Sequence, residues 1–492
     1  MAWIAVDAGT SVIKAVVFNE EGREIALARE NTVVLRPEPE WAEQSMEAVW
    51  QAVVATIRSV MTELHEPVNG IAITAQGDGC WLVDGNGSPT GNAILWNDGR
   101  ATEIVERWRA HGLIGKAFKI SGSVPYPGLC NAILHWLREN QPERVDSAQY
   151  ALTCNGWIFS QMTGRFMADL SDASNPFSDV KAEAYSPALI QLYSAERDQA
   201  LLPPIARTGD LIGQLRTVVA QELRLPSGTT VVMAPYDIVT TAYGVGLMRS
   251  DQACLILGTT ICAETITSQL DLNVQPAGTT IALGNGLQLR AMPTLTGCET
   301  LEWAAKLLGA VDLVSLETLA ASARQAANDL VFLPYLSPAG ERAPFLEPRA
   351  RGSLHGLGLT HTRAEVARSI YEGLTFAIRE CLEVAASNLT EIRVCGGGAR
   401  SNLWCQMIAD VTGVQVLRPA ENEVGARGVF LFALKATGLL TDLTEGTRKY
   451  PVSMEAFHPS ADRRARYEKH FQFFLQVRES ARALWALGEV KA

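Results

Sequence analysis

Residues 3–18 read Trp3-Ile-Ala-Val-Asp-Ala-Gly-Thr-Ser-Val-Ile-Lys-Ala-Val-Val-Phe18, and this stretch decides the fold. It contains two short β-type runs joined by Asp7-Ala-Gly-Thr-Ser11, with a carboxylate where the first run ends. Small residues at such a turn allow backbone N–H groups to approach phosphate oxygens, and Asp7 can hold a hydrated divalent cation beside them. The same five residues also suit an ordinary hairpin turn, so the rest of the chain must decide.

Composition narrows the class of protein before any further motif is considered. The chain has 492 residues, 47% of them hydrophobic, which predicts a globular protein of two or more domains. A net charge of −11 argues against a nucleic-acid binder. The sequence has neither a secretory leader nor a membrane-spanning run, and its nine cysteines form no CxxC pair, so we expect a cytoplasmic protein with reduced thiols.

Strand and helix patterns alternate after the first hairpin. A third strand is expected at 24–30, and apolar residues then recur at helical spacing between Met46 and Leu64. A strand at 70–75 follows and runs into the loop Gln76-Gly-Asp-Gly79. This alternation predicts an α/β domain that binds its ligands at the carboxyl ends of the strands.

The layout of the opening hairpin recurs about 250 residues later. A strand at 228–234 delivers Pro235-Tyr-Asp237 to the start of a helix, and 253–265 then repeats strand, small polar turn and strand. The second turn is Gly258-Thr259-Thr260, which lacks the acidic residue. A degenerate repeat of this kind predicts two related domains, which we place at 1–247 and 248–492, although two similar hairpins can also arise by coincidence.

A third feature suited to binding phosphate lies near the end of the chain. A strand at 391–395 ends in Gly396-Gly-Gly398, and a helix is expected to begin at Ser401 or Asn402, so backbone can lie flat against a planar or phosphorylated ligand. The alternative is a merely flexible loop. The chain has no GxxxxGK[ST], GxGxxG or GxSxG motif, which disfavours P-loop enzymes, nicotinamide dehydrogenases and α/β-hydrolases.

Together these features predict ATP-dependent phosphoryl transfer. That chemistry relies on positioning, a metal ion and hydrogen-bond donors, with one carboxylate to accept the proton of the attacking hydroxyl. Asp237 fits the carboxylate's role. Its alternative role is to cap the helix that starts near Ile238.

The chain resembles the FGGY carbohydrate kinases along essentially its whole length. The motifs that carry the resemblance are Asp7-Ala-Gly-Thr-Ser11, Trp96-Asn-Asp-Gly-Arg100, Met162-Thr-Gly164, Tyr236-Asp237, Gly258-Thr259, Gly340-Glu-Arg-Ala-Pro344 and Gly396-Gly-Gly-Ala-Arg-Ser-Asn402. The resemblance implies an α/β fold of two actin-like, ribonuclease-H-like domains with the active site in the cleft between them. It implies a sugar-binding N-terminal domain and an ATP-binding C-terminal domain.

The resemblance also implies roles for individual residues. Asp7 would orient Mg²⁺ through water, and Asp237 would be the catalytic base. ATP and its phosphates would be bound by Gly9, Thr10, Ser11, Gly258, Thr259, Gly397, Gly398 and Asn402, and the substrate by Gln76, Gly77, Asp78, Trp96, Asp98 and Asp237. On the residues alone, Asp78 can instead be a solvated loop acid and Trp96 can belong to the core.

The sugar is where the chain departs from the better-known members. Gln76-Gly-Asp-Gly79 and the aliphatic Ile238 after Asp237 look more like the L-xylulose and erythritol kinases than like the D-xylulose or glycerol kinases. We therefore expect a pentulose of the xylulose or L-xylulose type, with a short polyol such as erythritol or glycerol as the alternative. A more distant alternative is that the protein is a non-catalytic actin-like ATP-binding module. The expected partner is a small-molecule sugar or polyol, with no nucleic acid and no membrane, and a homodimer is compatible with the sequence.

Overall fold

The structure is a computed structural model that describes residues 2–324, 330–421 and 423–487. Its N-terminal part contains strands β1 (Ala2–Ala8), β2 (Val12–Phe18), β3 (Glu24–Asn31), β4 (Glu43–Gln44), β5 (Val68–Ala75), β6 (Trp81–Val83), β7 (Ala93–Ile94), β8 (Tyr150–Leu152), β9 (Ser178–Asp179), β10 (Ala184–Tyr185), β11 (Ile212–Gln214) and β12 (Thr230–Met233). Its helices are α1 (Met46–Glu63), α2 (Thr102–Ala110), α3 (Leu113–Ser121), α4 (Cys130–Asn140), α5 (Pro142–Asp146), α6 (Cys154–Thr163), α7 (Leu170–Ala173), α8 (Pro187–Leu192), α9 (Thr217–Leu223) and α10 (Asp237–Val245), with a 3₁₀ turn at Glu196–Leu201.

The C-terminal part contains β13 (Gln252–Leu257), β14 (Ile261–Thr267), β15 (Thr279–Gly284), β16 (Leu287–Pro293), β17 (Val331–Leu333), β18 (Ser353–His355), β19 (Glu391–Cys395), β20 (Gln415–Pro419) and β21 (Met454–Phe457). Its helices are α11 (Cys298–Leu308), α12 (Leu313–Ala321), α13 (Arg363–Ala385), α14 (Asn402–Thr412), α15 (Val424–Ala436), α16 (Leu443–Lys449) and α17 (Ala461–Leu487), with a 3₁₀ turn at Gly397–Arg400.

The two central sheets share one topology. The N-terminal sheet has the order β11-β12-β5-β1-β2-β3 and the C-terminal sheet β15-β16-β14-β13-β19-β20-β21. Each sheet contains three consecutive antiparallel strands, which are β3-β2-β1 in the first and β16-β14-β13 in the second. Two further strands run parallel to the third of these, and they are β5-β12 in the first sheet and β19-β20 in the second. The α/β class and the two related domains are confirmed, and the recurring hairpin is part of a repeated sheet.

Local sequence explains where the main elements begin and end. Strands β1 and β13 are almost fully buried, as their continuous apolar runs require. Helix α13 begins with a capping box, in which Thr362 Oγ1 accepts from the Ala364 N–H at 3.2 Å and Glu365 Oε2 accepts from the Thr362 N–H at 2.9 Å. The predicted division at 247/248 stays a prediction; α10 ends at Val245, and β13 begins at Gln252.

The two domains meet where α10 crosses α15. A Cβ atom on Gly244 would lie 1.7 Å from the carbonyl oxygen of Val424, and one on Gly428 would lie 1.7 Å from the carbonyl oxygen of Thr240. The two helix backbones are therefore in direct contact, which only glycine permits. The helix that begins with Asp237 is thereby fixed against the C-terminal domain.

Replacement of Gly428 by alanine should destabilise the protein, because its methyl group has no space against the Thr240 carbonyl. Overpacking of this kind costs about 1–3 kcal/mol or more, which calorimetry would register as a lower midpoint of thermal unfolding. Gly115→Ala in α3 is the matched control, since no atom lies within 4 Å of its added Cβ, and its midpoint should stay level or rise. Equal midpoints for both variants would show that the helices can separate at no cost.

Candidate active site

One cavity of about 220 Å³ lies between the domains, and both halves of the repeat contribute to its wall. The N-terminal domain supplies Thr10 from the first turn, and the C-terminal domain supplies Thr260 from the second. Asp237 lines the same cavity. The fold therefore brings together two turns and a carboxylate that lie far apart in the sequence.

The first turn is held by a chain of polar side chains. Thr10 Oγ1 donates to Gln76 Oε1 at 2.7 Å and accepts from Trp96 Nε1 at 3.0 Å. Gln76 Nε2 in turn donates to Gln44 Oε1 at 2.8 Å. Trp96 lines the cavity, whereas the buried Gln76 amide is occupied by Thr10 and Gln44, so its direct contact with a substrate stays a prediction.

Asp78 lies in the cavity wall in a conformation that few residues adopt. Its φ is 55°, in the left-handed region that Asp and Asn tolerate better than most non-glycine residues. Tyr126 Oη donates to its Oδ2 at 2.6 Å, and Asn175 Nδ2 lies 3.4 Å from its Oδ1. Burial raises the pKa of Asp78, and these two donors oppose the rise. Asp78 is thus a held acceptor rather than a solvated loop acid.

Asp237 is the first residue of α10, and the residue in the capping position is Tyr236. Burial and the negative charges of Asp7 and Asp78 raise the pKa of Asp237 to about 8, although the Ile238 N–H opposes them. Gly77 is also explained here, because a Cβ on it would lie 2.5 Å from the Tyr236 ring. A carboxyl group poised near neutral pH is suited to general base chemistry.

Asp98, like Gln76, is a predicted substrate residue that does not line the cavity. It is only 2% exposed and is absent from the cavity lining. Its Oδ2 accepts from the Ala42 N–H at 2.6 Å, and its Oδ1 accepts from Arg100 Nε at 2.8 Å, while Arg100 also pairs with Glu43 at 2.7 Å. The predicted contact with substrate stays a prediction, and the contacts present here are structural.

The second turn lies beside the late glycine run. Gly258 accepts from the Cys298 N–H at 2.9 Å, and a Cβ on Gly396 would lie 2.7 Å from the Leu257 carbonyl oxygen, so the run packs directly on the end of β13. A Cβ on Gly397 would meet no atom within 4 Å, whereas one on Gly398 would collide with Trp404 and Cys298. The chain therefore leaves open backbone at Gly397, as a flat ligand would need.

The remaining predicted nucleotide residues lie at turns and at a helix start. Gly9 and Thr10 are half-buried, and Ser11 is exposed. Thr259 shares the second turn, where its carbonyl oxygen accepts from the Glu299 N–H. Asn402 is exposed at the first residue of α14, and its Oδ1 accepts from Arg418 Nη2 at 2.8 Å. Their roles toward ATP stay predictions.

The surroundings of Asp7 fit a hydrated cation. Burial raises the pKa of this carboxyl group, with Lys14 opposing the rise and Glu423 adding to it. No cluster of three or more His, Cys, Asp or Glu side chains in the described ranges could enclose a metal ion unaided. A single carboxylate is nevertheless the usual protein ligand for Mg²⁺ that arrives with nucleotide phosphates.

Comparison with known proteins now decides the family. The FGGY carbohydrate kinase N-terminal domain matches residues 2–244, and the C-terminal domain of the same family matches residues 253–437. The chain belongs to the FGGY family of carbohydrate kinases. It is therefore a sugar or polyol kinase that uses ATP, and the non-catalytic alternative is set aside.

Individual relatives cover almost the whole chain. The L-xylulose/3-keto-L-gulonate kinase of Escherichia coli is 31% identical over 96% of this chain and 95% of the relative. The xylulose kinase of the same organism is 30% identical over 98% of this chain and 100% of the relative. The ligand-bound structure of a Lactobacillus acidophilus xylulose kinase shares the fold, with a TM-score of 0.92, 23% identity and 99% of each chain covered.

The kinase cavity also contains residues that sequence reasoning missed. Tyr126, Thr279, Cys262 and Arg342 all line it, and Asn175 links Asp78 to Thr279 Oγ1 at 2.9 Å. The sequence pointed to one of these residues only through the motif Gly340-Glu-Arg-Ala-Pro344, which supports the family resemblance but came with no role for Arg342.

In the described residues no helix is long and apolar enough to span a membrane, and all nine cysteines are free.

Substitution of Asp98 should lower stability without changing the sugar KM, whereas substitution of Asp78 should raise the sugar KM without changing stability. Asp98→Ala leaves the buried Arg100 without its main partner, which we expect to cost about 3 kcal/mol or more of stability and to leave the KM for the sugar unchanged. Asp78→Asn keeps a residue that tolerates positive φ, so the unfolding midpoint should hold while the sugar KM rises by about tenfold. Calorimetry and steady-state kinetics on both variants measure this, and an unchanged midpoint with a raised KM in Asp98→Ala would contradict the structural role of Asp98.

Proposed function

We propose that this kinase transfers the γ-phosphoryl group of ATP to a hydroxyl of a pentulose of the xylulose or L-xylulose type. The observation that carries the proposal is the cavity itself, which Asp237 and Asp78 line together with Thr10 of the first turn and Thr260 of the second. The names of the two Escherichia coli relatives favour the pentulose. A short polyol is the second candidate, since Ile238 supplies no polar contact after the base.

Asp237 accepts the proton of the substrate hydroxyl as that hydroxyl attacks phosphorus. Its raised pKa makes it a stronger base than an exposed aspartate, and the fixed start of α10 holds it in place. Asp78 accepts hydrogen bonds from other substrate hydroxyls and so orients the sugar. Closure of the two domains around both substrates would exclude water from the cavity and favour transfer to the sugar over hydrolysis.

Backbone at the two turns receives the phosphates. Gly9, Thr10 and Ser11 provide the first turn and Gly258 and Thr259 the second, while Gly397, Gly398 and Asn402 border the nucleoside. Asp7 would hold Mg²⁺ through water, and the ion would neutralise charge on the β- and γ-phosphates. The chain's own contribution is thus to position two substrates and remove one proton.

Asp237→Asn should lower kcat by about 10²-fold or more with the best pentulose, because the amide cannot accept the proton, whereas ATP binding should be nearly intact. Coupled ADP-release kinetics with a panel of pentuloses and polyols, and calorimetric titration with ATP, measure the two effects. Asp271→Asn, at an exposed loop position, is the matched control and should behave as wild type. Retained turnover in Asp237→Asn would remove this residue from the base role, and turnover confined to polyols would replace the pentulose by the second candidate.

A further inference from the structure

The cavity has one cationic side chain whose role the reaction above does not use. Among the described residues that line it, Asp78, Asp237 and Arg342 are charged, and Arg342 is the sole cation. Phosphate is expected on the side of the two turns, whereas Arg342 lies over the ring of Tyr126, the residue that binds Asp78. Arg342 therefore lies beside the residue that holds Asp78, the predicted acceptor for substrate hydroxyls.

Arg342 is held rigidly before any ligand arrives. Its Nε donates to the Pro293 carbonyl oxygen at 3.0 Å, and its backbone N–H donates to Glu341 Oε1 at 2.9 Å. Glu341 is buried and also accepts from the Leu295 N–H at 2.9 Å. A side chain fixed in this way loses little conformational entropy when it binds a substrate.

A single aromatic ring connects the cation to the acceptor carboxylate. The Arg342 guanidinium carbon lies 5.0 Å from the centroid of the Tyr126 ring, and the hydroxyl of that ring donates to Asp78 at 2.6 Å. Tyr126 itself is anchored to the C-terminal domain nearby, because the Val124 N–H donates to the Gly278 carbonyl oxygen at 3.0 Å. Arg342 and Asp78 thus form a donor and an acceptor at fixed separation, one from each domain.

The chemistry of this pair selects a type of substrate oxygen. A guanidinium group only donates hydrogen bonds, so its natural partner is an oxygen that only accepts, such as a carbonyl oxygen. A substrate hydroxyl beside the Arg342 guanidinium would also carry a proton, and that proton would need an acceptor of its own next to the Tyr126 ring. Asp78 already lies near the guanidinium, so a substrate with its own carboxylate would be repelled by Asp78.

We propose that Arg342 is a specificity-determining residue that donates to the ketone oxygen of a neutral pentulose, while Asp78 accepts from its hydroxyls. This rests on the proposed function, which it deepens by naming the group that distinguishes the ketose from the corresponding polyol. The residue comes from the C-terminal domain, so the sugar site is complete only when both domains contribute.

The test compares a pentulose with the pentitol made by reducing its ketone. Arg342→Gln should lower kcat/KM for the pentulose by about 10- to 100-fold, the range expected for a lost hydrogen bond from a charged donor, and change the pentitol value little. Arg342→Lys should fall between, since lysine keeps the charge and loses the planar fork. Arg349→Gln, an exposed arginine paired with Glu347 in the same loop, is the matched control and should leave both values unchanged.

Several results would overturn the proposal. Equal losses for pentulose and pentitol in Arg342→Gln would show a structural role only, and no loss would exclude contact with the sugar. A wild-type preference for a keto sugar acid that Arg342→Gln abolishes would assign the guanidinium to a carboxylate instead. The unfolding midpoint of each variant is checked first, and if Arg342→Gln does not fold, the same comparison with Arg342→Lys decides. An absence of turnover of every sugar by the wild type would instead refute the proposed function.

Discussion

The contact on which the site depends is the crossing of α10 and α15 at Gly244 and Gly428. Neither glycine can carry a side chain, because the facing carbonyl oxygens occupy that space. Helix α10 begins with Asp237, and the start of α15 lies beside Asp7, where a Cβ on Gly425 would be 3.3 Å from the carboxylate. The N-terminal sheet, in which β5 lies between β1 and β12, holds the base near the first turn, and the helix crossing joins both to the C-terminal domain.

Three carboxyl groups cluster near this crossing, where burial disfavours their charged forms. Asp7, Asp78 and Asp237 all have raised pKa values because of desolvation, and Asp7 and Asp78 each add to the rise at Asp237. Lys14 opposes the effect at Asp7, and it pairs at 2.9 Å with Glu423, which also binds Arg29. Arg342 partly balances Asp78 from the other domain. Such clustering is typical of sites where a proton and a cation must be handled together.

Much of the frame could be predicted from sequence, because its signals are local. The strand–turn–strand patterns around Asp7 and Gly258, the capping box at Thr362 and the glycine run at 396–398 all depend on neighbouring residues. What could not be predicted depends on packing between distant segments. Tyr126 reaches Asp78 from 48 positions away, Arg342 reaches Tyr126 from the other domain, and Asp98 is turned to Arg100 and Ala42 rather than to the cavity. No spacing in the chain encodes these contacts.

The central claim is that both domains build one sugar site, with the acceptor hydroxyl at Asp237 and the ketone at Arg342. A crystal structure with a pentulose, Mg²⁺ and a non-hydrolysable ATP analogue tests it most directly. We expect one sugar hydroxyl about 2.6–3.2 Å from a carboxylate oxygen of Asp237, in line with the γ-phosphorus, and the ketone oxygen at the same range from Arg342. A sugar bound in this cavity with neither group in reach, or bound elsewhere on the protein, would contradict the claim.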